Sequence, residues 1–111
     1  MPKPRAPAHL TLQTRRWWLA VQKEYALEQH HERLLTLAGE AFDRGIQARE
    51  LIAKDGIVSR TADGGIKAHP AIGIERDSRL AFARLLRELD LDAGAPSEKV
   101  GPPPLNSNRR S

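Results

Sequence analysis

Apolar residues recur at helical spacing in the first patterned segment of the chain, from Trp17 to Tyr25. Thr11 or Thr14 can cap the start of this predicted helix, which we expect to end near residue 26. Its adjacent tryptophans, Trp17 and Trp18, lie about 100° apart around the helix axis. We interpret them either as anchors in the core or as a contact with another subunit or a nucleic-acid base.

The second predicted helix, from about Glu28 to Lys54, is the longest periodic segment. Small and apolar residues recur along it in steps of three and four, the pattern of a heptad seam. Because the middle of the seam holds alanines and Gly45, another helix can approach it closely. Core packing within the chain and self-association through this face explain the pattern equally well. The seam consists of Leu34, Ala38, Ala41, Gly45, Ala48 and Ile52.

A hairpin is predicted after the second helix, which Asp55-Gly56 should end. Residues 57–67 alternate loosely around the tight-turn sequence Asp63-Gly64-Gly65. Two strands alone are marginally stable in water, so this hairpin should rest on a helix or beside a neighbouring subunit's hairpin. Pro70, which follows His69, then opens a third helix that should end near Leu89.

The predicted fold is therefore mainly α: three helices, with a short β-hairpin between the second and the third. We divide the chain into a disordered basic arm (1–10), a helical domain (11–92) and a flexible, Pro-rich basic tail (93–111). There is no cysteine, which excludes disulfides and thiolate chemistry. No apolar run is long enough to span a bilayer, so no membrane contact is predicted and a cytoplasmic location is expected.

Positive charge gathers at the two ends of the chain, whose net charge is +4. Residues 1–16 hold four basic residues and no acid, residues 17–92 hold 11 basic and 13 acidic residues, and residues 93–111 hold three basic residues and one acid. Basic ends on a nearly neutral body indicate contact with a polyanion, or simply solvated tails. The terminal candidates for such contact are Lys3, Arg5, Arg15, Arg16, Arg109 and Arg110.

A second basic candidate lies on the third helix. Four arginines fall within roughly 140° of arc on the side opposite its apolar face. Such a face can bind phosphates, or it can be a solvated surface paired with Asp77, Glu88 and Asp90. The four residues are Arg76, Arg79, Arg84 and Arg87.

No catalytic signature is present in the sequence. There is no phosphate-binding loop, nucleophile elbow, zinc-protease motif or calcium loop, and no carboxylate pair whose spacing argues for acid–base catalysis. His30-His31-Glu32 is the one concentrated group of possible ligands, but adjacent helical residues point in different directions. We therefore predict no metal, no cofactor and no enzymatic activity.

The order of elements resembles the small terminase subunit of tailed double-stranded DNA phages, in its helical form with a hairpin and a His-Pro-containing helix. The resemblance covers roughly residues 12–92. Its most specific part is the succession of Gly-Gly, His-Pro and a charged helix after a helix that ends in Asp-Gly. The segments that carry it are Trp17 or Trp18, LLTLAGEAFDRGIQARELIAKDG (34–56), DGGIKAHPAIGIERD (63–77) and LLRELDLD (85–92).

This resemblance implies a non-catalytic protein that forms homo-oligomeric rings in the cytoplasm of the infected bacterium. It implies two further partners, the packaging-start site of the viral double-stranded DNA and the large terminase subunit, which carries the ATPase and nuclease. No helix-turn-helix is evident, so the residues that contact DNA stay open.

Two other functions are compatible with the residues. One is a basic helical DNA-binding regulator, dimeric and unrelated to packaging. The other is a small metal-dependent nuclease that uses His30, His31 or His69. The mass of the assembly separates the ring from the dimer, and plasmid nicking with divalent metal tests for the nuclease.

Overall fold

The computed structural model describes residues 5–90 of the 111-residue chain. It confirms three helices with a two-stranded antiparallel hairpin between the second and the third. The elements are α1 (Leu12–Glu24), α2 (Gln29–Asp55), β1 (Val58–Arg60), β2 (Ile66–Ala68) and α3 (Ala71–Leu89). Three of the predicted DNA-contacting residues, Lys3, Arg109 and Arg110, and the predicted tail (93–111) lie outside the described residues.

The helix boundaries follow from local capping. Thr11 is the N-cap of α1, and its hydroxyl oxygen accepts a hydrogen bond from the Thr14 backbone N–H at 3.3 Å. At the start of α2, the Glu28 side chain accepts from the backbone of His31, whose imidazole accepts in return from the Glu28 N–H. Gly56 ends α2 with a φ of +87°, a conformation in which a Cβ would be strained.

The hairpin is short and projects an exposed apolar surface. Val58 pairs with Ala68, and Arg60 pairs with Ile66, across the two strands. The turn between them is closed by the Thr61 N–H, which donates to the Gly65 carbonyl at 2.8 Å. Ile66 and Val58 remain 66% and 52% exposed, so the chain's own helices leave this surface largely uncovered.

Hydrogen bonds of His69 connect the hairpin to both neighbouring helices. Its Nδ1 accepts from the Ala71 N–H at 3.0 Å, and its Nε2 lies 2.9 Å from Asp55 Oδ2 at the end of α2. Its backbone N–H also donates to the Ile57 carbonyl at 2.9 Å. The imidazole therefore satisfies one of the unpaired N–H groups at the start of α3 and holds the hairpin against α2.

Antiparallel packing of α2 against α3 forms one half of the core. A Cβ added at Gly45 would lie 3.4 Å from the Ser78 Cβ, which shows how closely the two helices approach. Toward the α1 side of the bundle, the rings of Phe42 and Phe82 lie 5.3 Å apart between centroids, and Phe82 also contacts Trp17 at 5.8 Å. Both tryptophans of α1 are buried in this core.

The small-residue face of α2 is largely occupied by this chain's own packing. Ala38, Gly45 and Ala48 are buried within the described part of the chain, as are Trp17 and Trp18. Leu34, Ala41 and Ile52 are only partly covered. The second helix that the seam predicts is α3 of the same chain, so the buried seam residues belong to the core. Self-association of the chain stays a prediction, and Leu34, Ala41 and Ile52 are the seam residues that keep exposed surface for it.

Residues 5–10 differ from the disordered arm predicted for residues 1–10. They form no helix or strand, yet Leu10 is 3% exposed and packs at Gly39 of α2. The His9 Nε2 lies 2.7 Å from Glu40 Oε2. One apolar side chain in a proline-rich segment has no periodicity to reveal it, which is why the sequence pattern missed this contact.

A polar cluster joins the start of α1 to the middle of α2. The carboxylate of Asp43 accepts from the hydroxyls of Thr14 at 2.6 Å and Thr11 at 2.9 Å, and from the Thr11 backbone N–H at 2.9 Å. Thr14 is fully buried, so its hydroxyl depends on this partner. The negative charge also stands at the positive end of the α1 dipole.

We expect Asp43→Ala to lower the free energy of unfolding by about 1–3 kcal/mol, because the buried Thr14 hydroxyl and the α1 N-terminus lose their acceptor. Urea denaturation followed by circular dichroism measures this. The matched control is Glu50→Ala, an exposed α2 residue without an ion pair in residues 5–90, which should change stability by less than about 0.5 kcal/mol. Equal effects of the two substitutions would contradict a structural role for the cluster.

His69→Ala should lower the unfolding temperature by several degrees, because removing the acceptor for the Ala71 N–H costs about 1 kcal/mol. It should also speed amide exchange in β2 more than elsewhere. His69→Asn can still accept from the N–H two residues ahead and should recover part of the loss. His30→Ala, at an exposed histidine, serves as the control. A loss in His30→Ala as large as that in His69→Ala would argue against the cap.

Candidate nucleic-acid interface

The four arginines of α3 lie on its solvent side. The residues of α3 that are buried, Ala71, Ser78 and Leu89, occupy the opposite side, which faces the rest of the bundle. All four arginines are exposed. We call Arg76, Arg79, Arg84 and Arg87 the α3 arginine face.

Two members of the α3 arginine face are unpaired among residues 5–90. Arg76 Nε lies 3.3 Å from Asp77 Oδ1, and Arg79 Nε lies 3.4 Å from Glu75 Oε2. Arg84 and Arg87 form no ion pair within the described part of the chain, although Glu88 is close in sequence. Their guanidinium donors therefore point into solvent, where an external phosphate can accept from them.

Glu75 links the α3 arginine face to α2. Its Oε2 accepts from Arg49 Nη2 of α2 at 3.1 Å and from Arg79 Nε at 3.4 Å. Partial burial raises the pKa of Glu75, but the hydrogen bonds and positive charges of Arg49 and Arg79 outweigh it, so the pKa lies below its usual value. The carboxylate consequently stays ionised and reduces the positive charge at the Arg79 end of the face.

The basic residues near the N-terminus form a separate surface. Arg5 and Arg16 are exposed, whereas Arg15 is half-buried, and its buried Nε has no hydrogen-bond partner among the described residues. Because Trp17 of α1 contacts Phe82 on the buried side of α3, α1 lies away from the α3 arginine face. The structure therefore does not bring the two predicted basic groups together.

The hairpin adds two basic side chains that the sequence interpretation did not include. Arg60 and Lys67 are exposed on adjacent strands, at the end of the bundle where α3 begins. They could have been found from the strand pattern, because strands of three residues that are largely uncovered leave their charged side chains in solvent. The hairpin turn is not uniformly basic, since Asp63 accepts from the Thr61 hydroxyl and the Gly65 N–H. These hydrogen bonds, with the Thr61 bond the largest influence, hold the pKa of Asp63 below its usual value.

The histidines do not form one catalytic group. Potential ligand atoms of Glu28, His30 and His31 lie within 4.8 Å of one another. The two adjacent histidines therefore do come together, whereas the sequence predicts that neighbouring helical side chains point in different directions. However, Glu28 and His31 already cap α2, and the positive end of the helix dipole disfavours a cation there. His69 is at the other end of α2, about 40 Å away for a helix of this length, and it bonds Asp55 and Ala71. His69 therefore does not join the group that Glu28, His30 and His31 form.

We expect Glu75→Gln to lower stability by about 1 kcal/mol at pH 7. A carboxylate whose folded-state pKa is depressed stabilises the fold above its unfolded pKa, about 4.3 for Glu, and loses that contribution as pH falls through the folded-state value. The difference between the parent protein and Glu75→Gln should therefore be constant from pH 7 to pH 5 and shrink toward pH 3. Urea denaturation across this range tests it, with Glu50→Gln as the control. A difference that does not change with pH would rule out the ionic contribution.

No helix among residues 5–90 has both the length and the apolar character needed to cross a membrane.

No curated protein and no solved structure matches the chain. A family model does match it: the phage terminase small subunit, over residues 15–99, which include most of α1 and all of α2, the hairpin and α3. Since this match covers most of the sequence, the chain belongs to the family of phage terminase small subunits.

Proposed function

We propose that this protein is the non-catalytic adaptor of a phage genome-packaging machine. In this role it binds the packaging-start region of the viral double-stranded DNA as a homo-oligomer, in the cytoplasm of the infected bacterium. It also recruits the large terminase subunit and regulates it. Membership of the terminase small-subunit family is the observation that carries this proposal.

The α3 arginine face is the DNA contact that the described residues support best. It is exposed and points away from the packed side of α3, and two of its four guanidiniums have no protein partner within residues 5–90. Arginines along one side of a helix can contact a phosphate backbone, and each phosphate that they neutralise releases counterions. The exposed Arg5 and Arg16 form a second candidate DNA contact, on a different side of the bundle. It has two arginines where the α3 arginine face has four.

Oligomerisation would supply the affinity that one copy lacks. One chain carries a net charge of only +4, and much of its charge is balanced within the helices. Several copies arranged around one DNA segment multiply the number of arginine–phosphate contacts without any new contact per copy. Binding should consequently be multivalent and should weaken steeply as salt is raised.

We expect the affinity for a fluorescent duplex, measured by anisotropy, to fall by at least tenfold between 50 and 300 mM salt. Arg84→Gln/Arg87→Gln should weaken binding further and reduce the slope of log K against log salt by about 2 per copy engaged. Arg33→Gln/Lys54→Gln removes the same charge from exposed positions of α2 and is the matched control.

Two outcomes would contradict the proposal at different levels. Absence of DNA binding at 50 mM salt, or affinity independent of salt, would overturn the electrostatic DNA-binding function. Salt-dependent binding that is equally strong in the α3 variant and the control would overturn only the role of the α3 arginine face. Arg5→Gln/Arg16→Gln combined with deletion of residues 106–111 would then test the terminal basic residues, and it leaves the buried Leu10 in place.

A further inference from the structure

A row of four exposed residues runs along the middle of the α3 arginine face. At about 100° per residue, they lie within roughly 60° of one another around the helix axis. The two inner members, Leu80 and Ala83, are uncharged, and Leu80 is 55% exposed. A surface that binds phosphates alone gains nothing from these two side chains, whereas base edges include the apolar methyl group of thymine. We call this the α3 central row: Arg76, Leu80, Ala83 and Arg87.

Side-chain length varies along the α3 central row, with long side chains at both ends and short ones between them. Arg76 and Arg87 end the row, about 16 Å apart along the helix axis. The floor of the DNA major groove winds around the duplex, so it curves away from the two ends of a straight helix laid in the groove. Such a helix must therefore carry short side chains at its middle and long ones at its ends. The α3 central row has this profile.

The outer side of α1 is also basic, but it has a different profile. Leu12 and Leu19 are 56% and 42% exposed there, and they alternate with Arg16 and Lys23. A long side chain, Arg16, consequently stands between the two leucines. It would hold α1 away from the floor of a groove, so the α3 central row fits the major groove better.

The other two arginines of the α3 arginine face flank the α3 central row. Arg79 and Arg84 lie on opposite sides of it, each about 70° from its midline. The major groove is about 12 Å wide, admits an α-helix, and has a line of phosphates along each wall. A helix in the groove would thus direct one of these arginines toward each wall. Arg84 has no ion pair among residues 5–90, and the Arg79 side chain stays 60% exposed beside Glu75.

The carboxylates in the first half of α3 lie outside the arc that these arginines span. Glu75 is about 110° from the midline of the row, and Asp77 is about 90° from it on the other side. Each has an arginine of α2 near it. Arg49 donates to Glu75 at 3.1 Å, and Arg44 lines the same surface pocket between α2 and α3 as Asp77. The negative charge beside the face is therefore partly balanced from behind.

The remaining acids of α3 stand at its C-terminal end. Glu88 is about 110° from the midline of the row, and Asp90 follows the helix as its C-cap. Neither pairs with Arg87 within residues 5–90. Arg76 does pair with Asp77, but the two side chains are 59% and 74% exposed. A pair this exposed contributes little, so Arg76 can exchange Asp77 for an acceptor on DNA.

We infer that α3 enters the major groove of duplex DNA and places its central row against the base edges. Leu80 and Ala83 meet the floor of the groove, where thymine methyl groups are the apolar contact. Arg76 and Arg87 donate to guanine O6 and N7 at the two ends of the row, and the flanking arginines bind phosphates. This inference rests on the DNA binding of the proposed function. It makes α3 the part of the chain that reads sequence.

Filling the major groove of the DNA tests whether the protein enters it. The probe is a fluorescent duplex of mixed sequence in which cytosine is replaced by glucosylated 5-hydroxymethylcytosine. The glucose occupies the major groove and leaves the phosphates unchanged. We expect the full chain to bind this duplex at least roughly tenfold more weakly than the unmodified duplex, by anisotropy at 50 mM salt. A duplex with 5-hydroxymethylcytosine that is not glucosylated is the matched control.

Two uncharged substitutions test whether α3 is the element in the groove. Leu80→Ala should weaken binding to the unmodified duplex roughly threefold, because an apolar contact with the bases is lost. Ala83→Tyr adds bulk where the helix is closest to the bases and should weaken it roughly tenfold, whereas a contact made by charge alone predicts no change. The matched controls on α2 are Leu51→Ala and Ala53→Tyr, at exposed positions. Circular dichroism verifies that every variant is folded.

Replacing thymine by uracil, which lacks the methyl group, tests the Leu80 contact itself. The parent protein should bind the uracil duplex more weakly than the thymine duplex. Leu80→Ala should show a smaller difference between the two, because it has already lost the partner of the methyl group. On the glucosylated duplex, Leu80→Ala and the parent protein should bind alike.

The outcomes separate this inference from the proposed function. A full chain that binds none of the duplexes overturns both. Salt-dependent binding that glucosylation does not weaken overturns groove entry and leaves an electrostatic DNA contact intact. Binding that glucosylation weakens, with neither α3 substitution differing from its control, overturns the role of the α3 central row. Binding that glucosylation weakens, and that either α3 substitution weakens more than its control does, supports the inference.

Discussion

The close approach of α2 and α3 at Gly45 is the constraint on which the remaining structure depends. Because neither Gly45 nor Ser78 has a bulky side chain, the two helices meet near the middle of α2. That approach aligns Arg49 with Glu75 on one side of the crossing and Phe42 with Phe82 on the other. It also fixes which side of α3 is left in solvent, and hence where the α3 arginine face points.

α1 completes the core from the other side of α2, and its position is set by polar as well as apolar contacts. Trp17, Trp18 and Val21 are the buried apolar residues of this helix. Asp43 sets where α1 begins along α2, because its carboxylate must reach two hydroxyls and one backbone N–H of the first turn. With α1 and α3 on different sides of α2, the exposed Arg16 of α1 and the α3 arginine face are kept apart.

Much of the fold could be predicted from local patterns, since helical periodicity, caps and the Asp63-Gly64-Gly65 turn are properties of neighbouring residues. The four arginines of α3 could likewise be placed on one side by their spacing alone. What the pattern of α2 could not say is which helix covers its small residues, because close packing within a chain and between chains requires the same side chains. The contacts of Leu10 and Asp43 were also out of reach, since each joins residues about 30 positions apart that share no local signal.

The brevity of the hairpin limits how this protein can associate with itself. Both strands have an open edge and carry uncovered isoleucine or valine, a combination that in longer strands invites edge-to-edge pairing and aggregation. Three residues per strand provide too few backbone donors and acceptors to hold a second sheet, and Arg60 and Lys67 would repel an identical edge. The hairpin thus exposes apolar surface without offering a template for continued sheet growth.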